Sequence, residues 1–176
     1  MSELKTRESL RRFLYCSSLL EEKIAKAYEH ISKLIKDKFI GCCLSLIAHD
    51  SFKHADCLRV MSEWLTSGMQ INFNECVKVW GESWKTIIMD AERILSKSEM
   101  SFEELANLIN GLMKIESFAG EEYLTVLHIR LIELMADEIK IKYEHFKTVL
   151  EWIIEDKKRH EQILELIKSL LKEKLN

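Results

Sequence analysis

Two short segments of this chain carry the same donor groups at the same spacing. Asp50-Ser51-Phe52-Lys53-His54 and Asp156-Lys157-Lys158-Arg159-His160 each set an aspartate four residues before a histidine, 106 positions apart. Glu21 precedes Tyr28 by seven residues, and Glu116 precedes Tyr123 by seven. On a helix, at ~100° per residue, a spacing of four leaves side chains about 40° apart and a spacing of seven about 20°. Each Asp–His pair and each Glu–Tyr pair therefore shares one face. Carboxylates and imidazoles in such sets are the donors that hold divalent cations. A carboxylate taken out of water needs a metal or a paired cation in any case.

The apolar frame around these residues repeats with them. Leu44, Ile47, Leu58 and Met61 match Leu150, Ile153, Leu164 and Ile167. At an offset of 95, Leu10, Leu14, Leu20 and Ile31 match Leu105, Ile109, Ile115 and Val126. One helical hairpin is thus written twice, a Glu-bearing helix followed by an Asp-and-His-bearing helix. The period is far too long for a solenoid, so the repeat points to a four-helix bundle. In that arrangement Asp50, Ser51 and His54 lie on the stripe of Ile47, Leu58 and Met61. Asp156 and His160 lie on that of Ile153, Leu164 and Ile167, with Lys157 at its edge. Lys158, Arg159, Glu22, Glu121 and Glu122 point away, and His30, His49 and His128 project outward.

The elements that must position these groups follow from composition and pattern. There is no proline, only 5 glycines, and 47% of residues are hydrophobic, so little interrupts long helices and the expected class is all-α. Helices are expected over about 6–37, 39–65, 102–136 and 144–174, in one domain spanning 1–176. Gly68 is placed as a C-terminal cap, and Ser101 with Glu104 forms a capping box. An extra helix over about 75–96 falls outside the repeat. If the second and third bundle helices run parallel, the chain must travel a bundle length between them, and about 22 helical residues cover roughly 33 Å. Trp80, Trp84 and Ile88 would be its inward face.

Charge and cysteines narrow the function classes. A net charge of −3 offers no footprint for nucleic acid or an anionic membrane surface. No apolar run approaches the ~20 residues of a membrane span, and Met1 to Leu10 is too charged for a signal peptide. Cys16, Cys42, Cys43, Cys57 and Cys76 include no Cys-x-x-Cys pair, so the expectation is buried free thiols in a reducing cytoplasm. Cys57, three residues after His54, shares its stripe and could offer a thiolate, although its counterpart Ile163 argues for packing. Ser51 near His54 resembles a nucleophile and base, but no oxyanion donors accompany it.

The pattern resembles the ferritin-like superfamily, and within it the rubrerythrin-related branch. The resemblance rests on LEEKIAKAYE and IESFAGEEYL, which hold Glu21 before Tyr28 and Glu116 before Tyr123, and on the two Asp-x-x-x-His segments. It implies a ferritin-like four-helix bundle with a crossover helix, dimerising through a helix face. In that family the Glu of the first and third helices binds metal. The second and fourth carry Asp-Glu-x-x-His, whose Glu and His bind metal while the Asp orients a histidine. Carried over, the ligands would be Glu21, His54, Glu116 and His160, with Asp50, Asp156, Tyr28 and Tyr123 behind them.

The departures are as specific as the matches. Both bridging glutamates are gone, replaced by Ser51 and Lys157. Two divalent ions call for four carboxylates; Glu21 and Glu116 balance one. An ammonium at Lys157 repels any cation beside it. Three states follow. The site holds no metal, with Lys157 paired to Glu116 or Glu21; or it holds one iron or zinc on Glu21, Glu116, His54 and His160; or it is a di-iron centre, which needs Asp50 and Asp156 to move inward. Three functions stand beside these states: a protein whose di-metal site has degenerated and is empty or holds one divalent metal, an active metal-dependent peroxidase or oxidase, and a metal-free helical interaction scaffold. No rubredoxin-like cysteine cluster accompanies the bundle, so self-contained electron delivery is not expected, and no substrate is indicated.

Overall fold

The computed structural model describes residues 2–65, 71–126 and 140–175, with side chains from residue 7 and, in the last segment, from residue 144. Among the described residues there are six helices: α1 (Ser2–Leu34), α2 (Lys38–Leu65), α3 (Phe73–Trp80), α4 (Glu82–Leu95), α5 (Phe102–Thr125) and α6 (Lys140–Leu175). No strand occurs among the described residues. The all-α class expected from composition holds. Gly68 and His128 fall outside the described residues.

Helix ends follow local chemistry. Asp37 leaves α1 and opens α2, its Oδ1 accepting from the backbone N–H of Phe39 at 2.9 Å and Ile40 at 3.0 Å. Lys174, at the far end of α6, closes on the same carboxylate at 2.7 Å. Ser101 and Glu104 form the expected capping box at the start of α5, and Asn72 with Glu75 forms another at the start of α3.

The single long helix expected over 75–96 is two helices. Gly81 takes φ +79°, a region open to glycine and hostile to other residues, and the chain turns there between Trp80 and Glu82. The turn lets α3 lie against α1 while α4 runs along it in the same direction, Trp84 beside Cys16 and Glu92 beside Lys23. Trp84 anchors this layer by donating from Nε1 to the Cys16 carbonyl at 3.2 Å, and Trp80 stacks on Phe13 with centroids 4.9 Å apart.

That path also brings Cys76 onto Cys16, with Cα atoms 5.3 Å apart, and the two form a disulfide between α3 and α1. This corrects the expectation of five free thiols, and with it the premise behind a reducing compartment. The reason is geometric: sixty residues separate the pair, and the packing of α3 on α1, with Trp80 stacked on Phe13, makes them neighbours. Cys57 is exposed, not on the buried stripe, and Cys43 alone of the three free thiols is buried.

Four long helices surround one continuous core. Leu14, Leu20 and Ile31 of α1 meet Leu44, Ile47 and Leu58 of α2, with Leu105 and Ile109 of α5 and Leu150, Leu164 and Ile167 of α6 completing it. α1 packs along α2 and α5 along α6, while α2 meets α6 across the centre. His54 beside Asp156, Trp64 beside Phe146 and Asp37 beside Lys174 set α2 and α6 antiparallel. α1 and α5 meet chiefly through long side chains, Tyr123 on Glu21 and Phe13. No described helix is long and apolar enough to cross a membrane.

Two glycines test this packing in opposite directions. A Cβ on Gly41 would lie 2.9 Å from the Ser32 carbonyl oxygen, at the close approach of α1 and α2, whereas one on Gly111 meets nothing within 4 Å. Gly111→Ala should raise stability by about 0.5–1 kcal/mol through helix propensity. Gly41→Ala should lower it by about 1–3 kcal/mol through overpacking against backbone. Urea denaturation of the two variants checks both signs.

Candidate functional site

The donor residues of the repeat converge on one point in the core, and an ammonium occupies it. Lys157 rises from α6 where Gly120 of α5 leaves room, its Cβ 3.6 Å from where a Cβ on that glycine would stand. Its Nζ lies 2.8 Å from Glu21 Oε2 on α1 and 2.9 Å from Glu116 Oε2 on α5. All three side chains are buried, none more than 1% exposed. Lys157 therefore ties three helices and both hairpins through one charge.

The remaining members of the pattern form a second ring around it. Tyr123 donates its hydroxyl to Glu21 Oε1 at 2.7 Å. Its ring is held edge-on by Phe13 and Trp80, so the α3 layer supports this hydrogen bond from outside. Tyr28, the corresponding residue on α1, is fully buried near Glu116, but neither its hydroxyl nor Glu116 Oε1 has a hydrogen-bond partner among the described residues.

The two histidines occupy equivalent places and use them differently. His54 donates outward from Nε2 to Asp156 Oδ2 at 2.9 Å; its Nδ1 faces Glu21 Oε2 at 3.6 Å, too long for a hydrogen bond. His160 bonds inward, Nδ1 to Glu116 Oε2 at 3.2 Å, and its Nε2 stands 3.6 Å from Asp50 Oδ2. The rings lie side by side with centroids 5.9 Å apart. Asp50 and Asp156 sit at the protein surface end of these contacts, each about a fifth to a quarter exposed. Arg159 bridges them, donating to Asp156 and lying 3.9 Å from Asp50. Sequence spacing alone sends Arg159 away from the site; its place three residues after Asp156 was the available signal. His30 is half-buried and bonded to the Lys97 carbonyl at 2.7 Å, whereas His49 is exposed, as its helical position implies.

Electrostatics follow the geometry. Burial pushes Glu21 and Glu116 up, but Lys157, reinforced by His54 and His160 respectively, outweighs it and holds both carboxyls below their ordinary range. Burial likewise favours a neutral Lys157, yet Glu116 and Glu21 together push its ammonium above the usual lysine range. Tyr28 and Tyr123 are pushed well up, first by burial and then by the adjacent carboxylates. The hub is thus a charged triad with a net charge of −1, its excess negative charge met by hydrogen bonds from Tyr123 and His160.

The space between the two carboxylates is filled by a cation on a covalent stem, and His160 already gives Nδ1 to Glu116. Among the described residues no group of three or more His, Cys, Asp or Glu side chains is placed to hold an ion. Ser51 is fully buried with no partner for its hydroxyl. It has no base within a described hydrogen bond, so the nucleophile reading carries no chemistry. Comparison with protein-family models, with curated proteins and with solved structures gave no match.

Lys157→Met should cost about 3–5 kcal/mol at neutral pH, because it strands two buried carboxylates. The triple change Glu21→Gln, Glu116→Gln, Lys157→Met should recover most of that. Because both glutamates titrate below their unfolded range in the wild type, their contribution is present above about pH 4.3 and is lost as pH falls through the folded values. Lys157 titrates above its unfolded range, so its share is present below about pH 10.4 and is lost as pH rises further. In Lys157→Met the signs reverse for the carboxyls, and its deficit should narrow as pH falls from neutral toward about 4. Denaturant unfolding across pH measures both; a deficit independent of pH would contradict the pairing.

Proposed function

We propose that this chain is a ferritin-like, rubrerythrin-related four-helix bundle in which an internal salt bridge has taken the place of the two-metal carboxylate centre. The observation that carries this reading is the Lys157 ammonium set between Glu21 and Glu116 at 2.8 and 2.9 Å. Several features support it. The duplicated Glu and Asp-x-x-x-His residues surround that ammonium from four helices. Each histidine has an aspartate at its outer nitrogen, the arrangement that orients metal-bound imidazoles. Finally, the site contains more buried polar atoms than one ammonium can satisfy. Tyr28 Oη, Ser51 Oγ and Glu116 Oε1 have no hydrogen-bond partner among the described residues, and His54 Nδ1 and His160 Nε2 each face a carboxylate at 3.6 Å, beyond hydrogen-bond length. A core designed around one ion pair would not accumulate them, whereas one descended from a larger ligand set would.

On this reading the core performs no redox step, and the protein acts through its outer surface as a non-membrane, homodimeric helical scaffold. A peroxidase or oxidase would need bridging carboxylates at positions 51 and 157, where serine and lysine stand. A single iron or zinc on Glu21, Glu116, His54 and His160 would first have to expel the Lys157 ammonium from between its two ligands.

Metal analysis after loading with ferrous iron or zinc tests the reading. Wild type should retain well under one ion per chain, and Ser51→Glu with Lys157→Glu should take up as many as two. Two irons per wild-type chain would refute the proposal.

A further inference from the structure

The outer side of the α2–α6 pair concentrates apolar surface. Of nine large hydrophobic residues exposed on the described chain, seven lie on these two helices: Phe39, Leu46, Val60 and Trp64 on α2, and Trp152, Leu166 and the terminal Leu175 on α6. Trp152 is 61% exposed, Leu46 53% and Val60 52%. Scattered apolar residues on a surface need no explanation, but two tryptophans each 61% exposed, with Leu46, Val60 and Leu166 on the same helix pair, mark a contact surface.

Their spacing makes the stripe regular. Phe39, Leu46, Lys53 and Val60 follow one another at intervals of seven, so they share a face of α2 to within a slow drift of ~20° per interval. Trp152, Arg159 and Leu166 do the same on α6. Both stripes look the same way. Arg159, in the middle of the α6 stripe, reaches Asp50, which lies on α2 between Leu46 and Lys53. The two-helix face therefore has apolar ends and a charged centre. Within that centre Lys53 closes on Asp50 at 3.0 Å and Arg159 on Asp156, so two cations meet two anions and the belt is neutral.

We infer that this face is the contact surface for a second copy of the chain, an inference resting on the homodimer reading and naming its interface. The pattern is self-complementary. Leu46 and Val60 stand seven residues either side of Lys53, and Trp152 and Leu166 seven either side of Arg159. A two-fold-related copy laid antiparallel on the face sets apolar end against apolar end and neutral belt against neutral belt, as an isologous contact requires. The size is also right. From Phe39 to Trp64 the face is about 39 Å long, and two adjacent helices are about 20 Å wide. That is roughly 800 Å² per partner, the area of a standard stable interface. An anionic lipid surface is a poorer occupant, because the belt presents as many carboxylates as cations.

Light scattering coupled to size-exclusion chromatography tests this on the full chain, with Leu46→Glu and Trp152→Glu on the face and Met89→Glu on α4 as control. The expected result is a wild-type mass of twice the 20.7 kDa chain across the micromolar range. Each face variant should weaken the dimer by roughly 30-fold or more, as for a central contact residue, and Met89→Glu should leave it unchanged. Circular dichroism should show the helices intact, since all three residues are exposed; two face variants on separate helices keep the result readable if one fails to fold. A monomeric wild type overturns both the homodimer reading and this interface. A wild-type dimer indifferent to both face substitutions, or broken by Met89→Glu, overturns the interface alone.

Discussion

One ammonium between two carboxylates, sealed from water, is the interaction to which the rest of the molecule is fitted. Its gross attraction is large: at an effective dielectric near 20, each contact of this kind is worth roughly 4 kcal/mol or more. Each of three ions also loses several kcal/mol of hydration on burial, so the net contribution to stability is small. The consequence is asymmetric. Forming the triad adds little to stability, while losing any one member strands a charge where nothing can solvate it. Because Lys157 comes from α6 and its partners from α1 and α5, the triad sets the register between two hairpins that otherwise meet mainly across α2 and α6. Leucines of similar volume would pack those helices with less regard to register.

The short helices α3 and α4 are bound to that hub through aromatic packing. Trp80 stacks on Phe13 and meets Tyr123 edge-on, and Tyr123 delivers its hydroxyl to Glu21. The Cys16–Cys76 disulfide and the Trp84–Cys16 hydrogen bond hold the same layer to α1 on either side of the Gly81 turn. A segment outside the repeat thus constrains one of the repeated tyrosines and leaves the other, Tyr28, without a hydrogen bond. The break in the two-fold pattern begins there.

Much of the site was legible because helical side-chain direction is a local property. Spacings of four and seven put Glu21, His54, Glu116 and His160 on inward faces, and the repeat aligned their depths without any knowledge of the loops. Lys157 was visible as the residue that breaks the repeat, and it is buried where the stripe put it. What could not be read depends on the path of the chain in space. Cys16 and Cys76 meet only because α3 packs on α1 sixty residues away, and a contact at that separation leaves no periodic trace in sequence. Arg159 folds back over Asp156 because a carboxylate lies within its long reach, although its Cα direction points outward. The unequal hydrogen bonds of His54 and His160 arise from differences of a few tenths of an ångström, below anything that spacing encodes.

On the proposed reading, the two residues that depart from the repeated pattern make sense only as a pair. Ser51 and Lys157 occupy equivalent positions on α2 and α6, one short and one long. Lysine at both would set two ammoniums against two glutamates within a single cavity, balanced in charge but with twice the side chain to accommodate. Glutamate at position 51 beside Lys157 would leave three carboxylates facing one ammonium, a net charge of −2 with no solvent to spread it. Serine adds no charge and little volume, so the lysine stem can enter from α6 and its single positive charge can serve Glu21 and Glu116 together. The site therefore holds one cation rather than two, and an internally duplicated fold surrounds an occupant that cannot be symmetric.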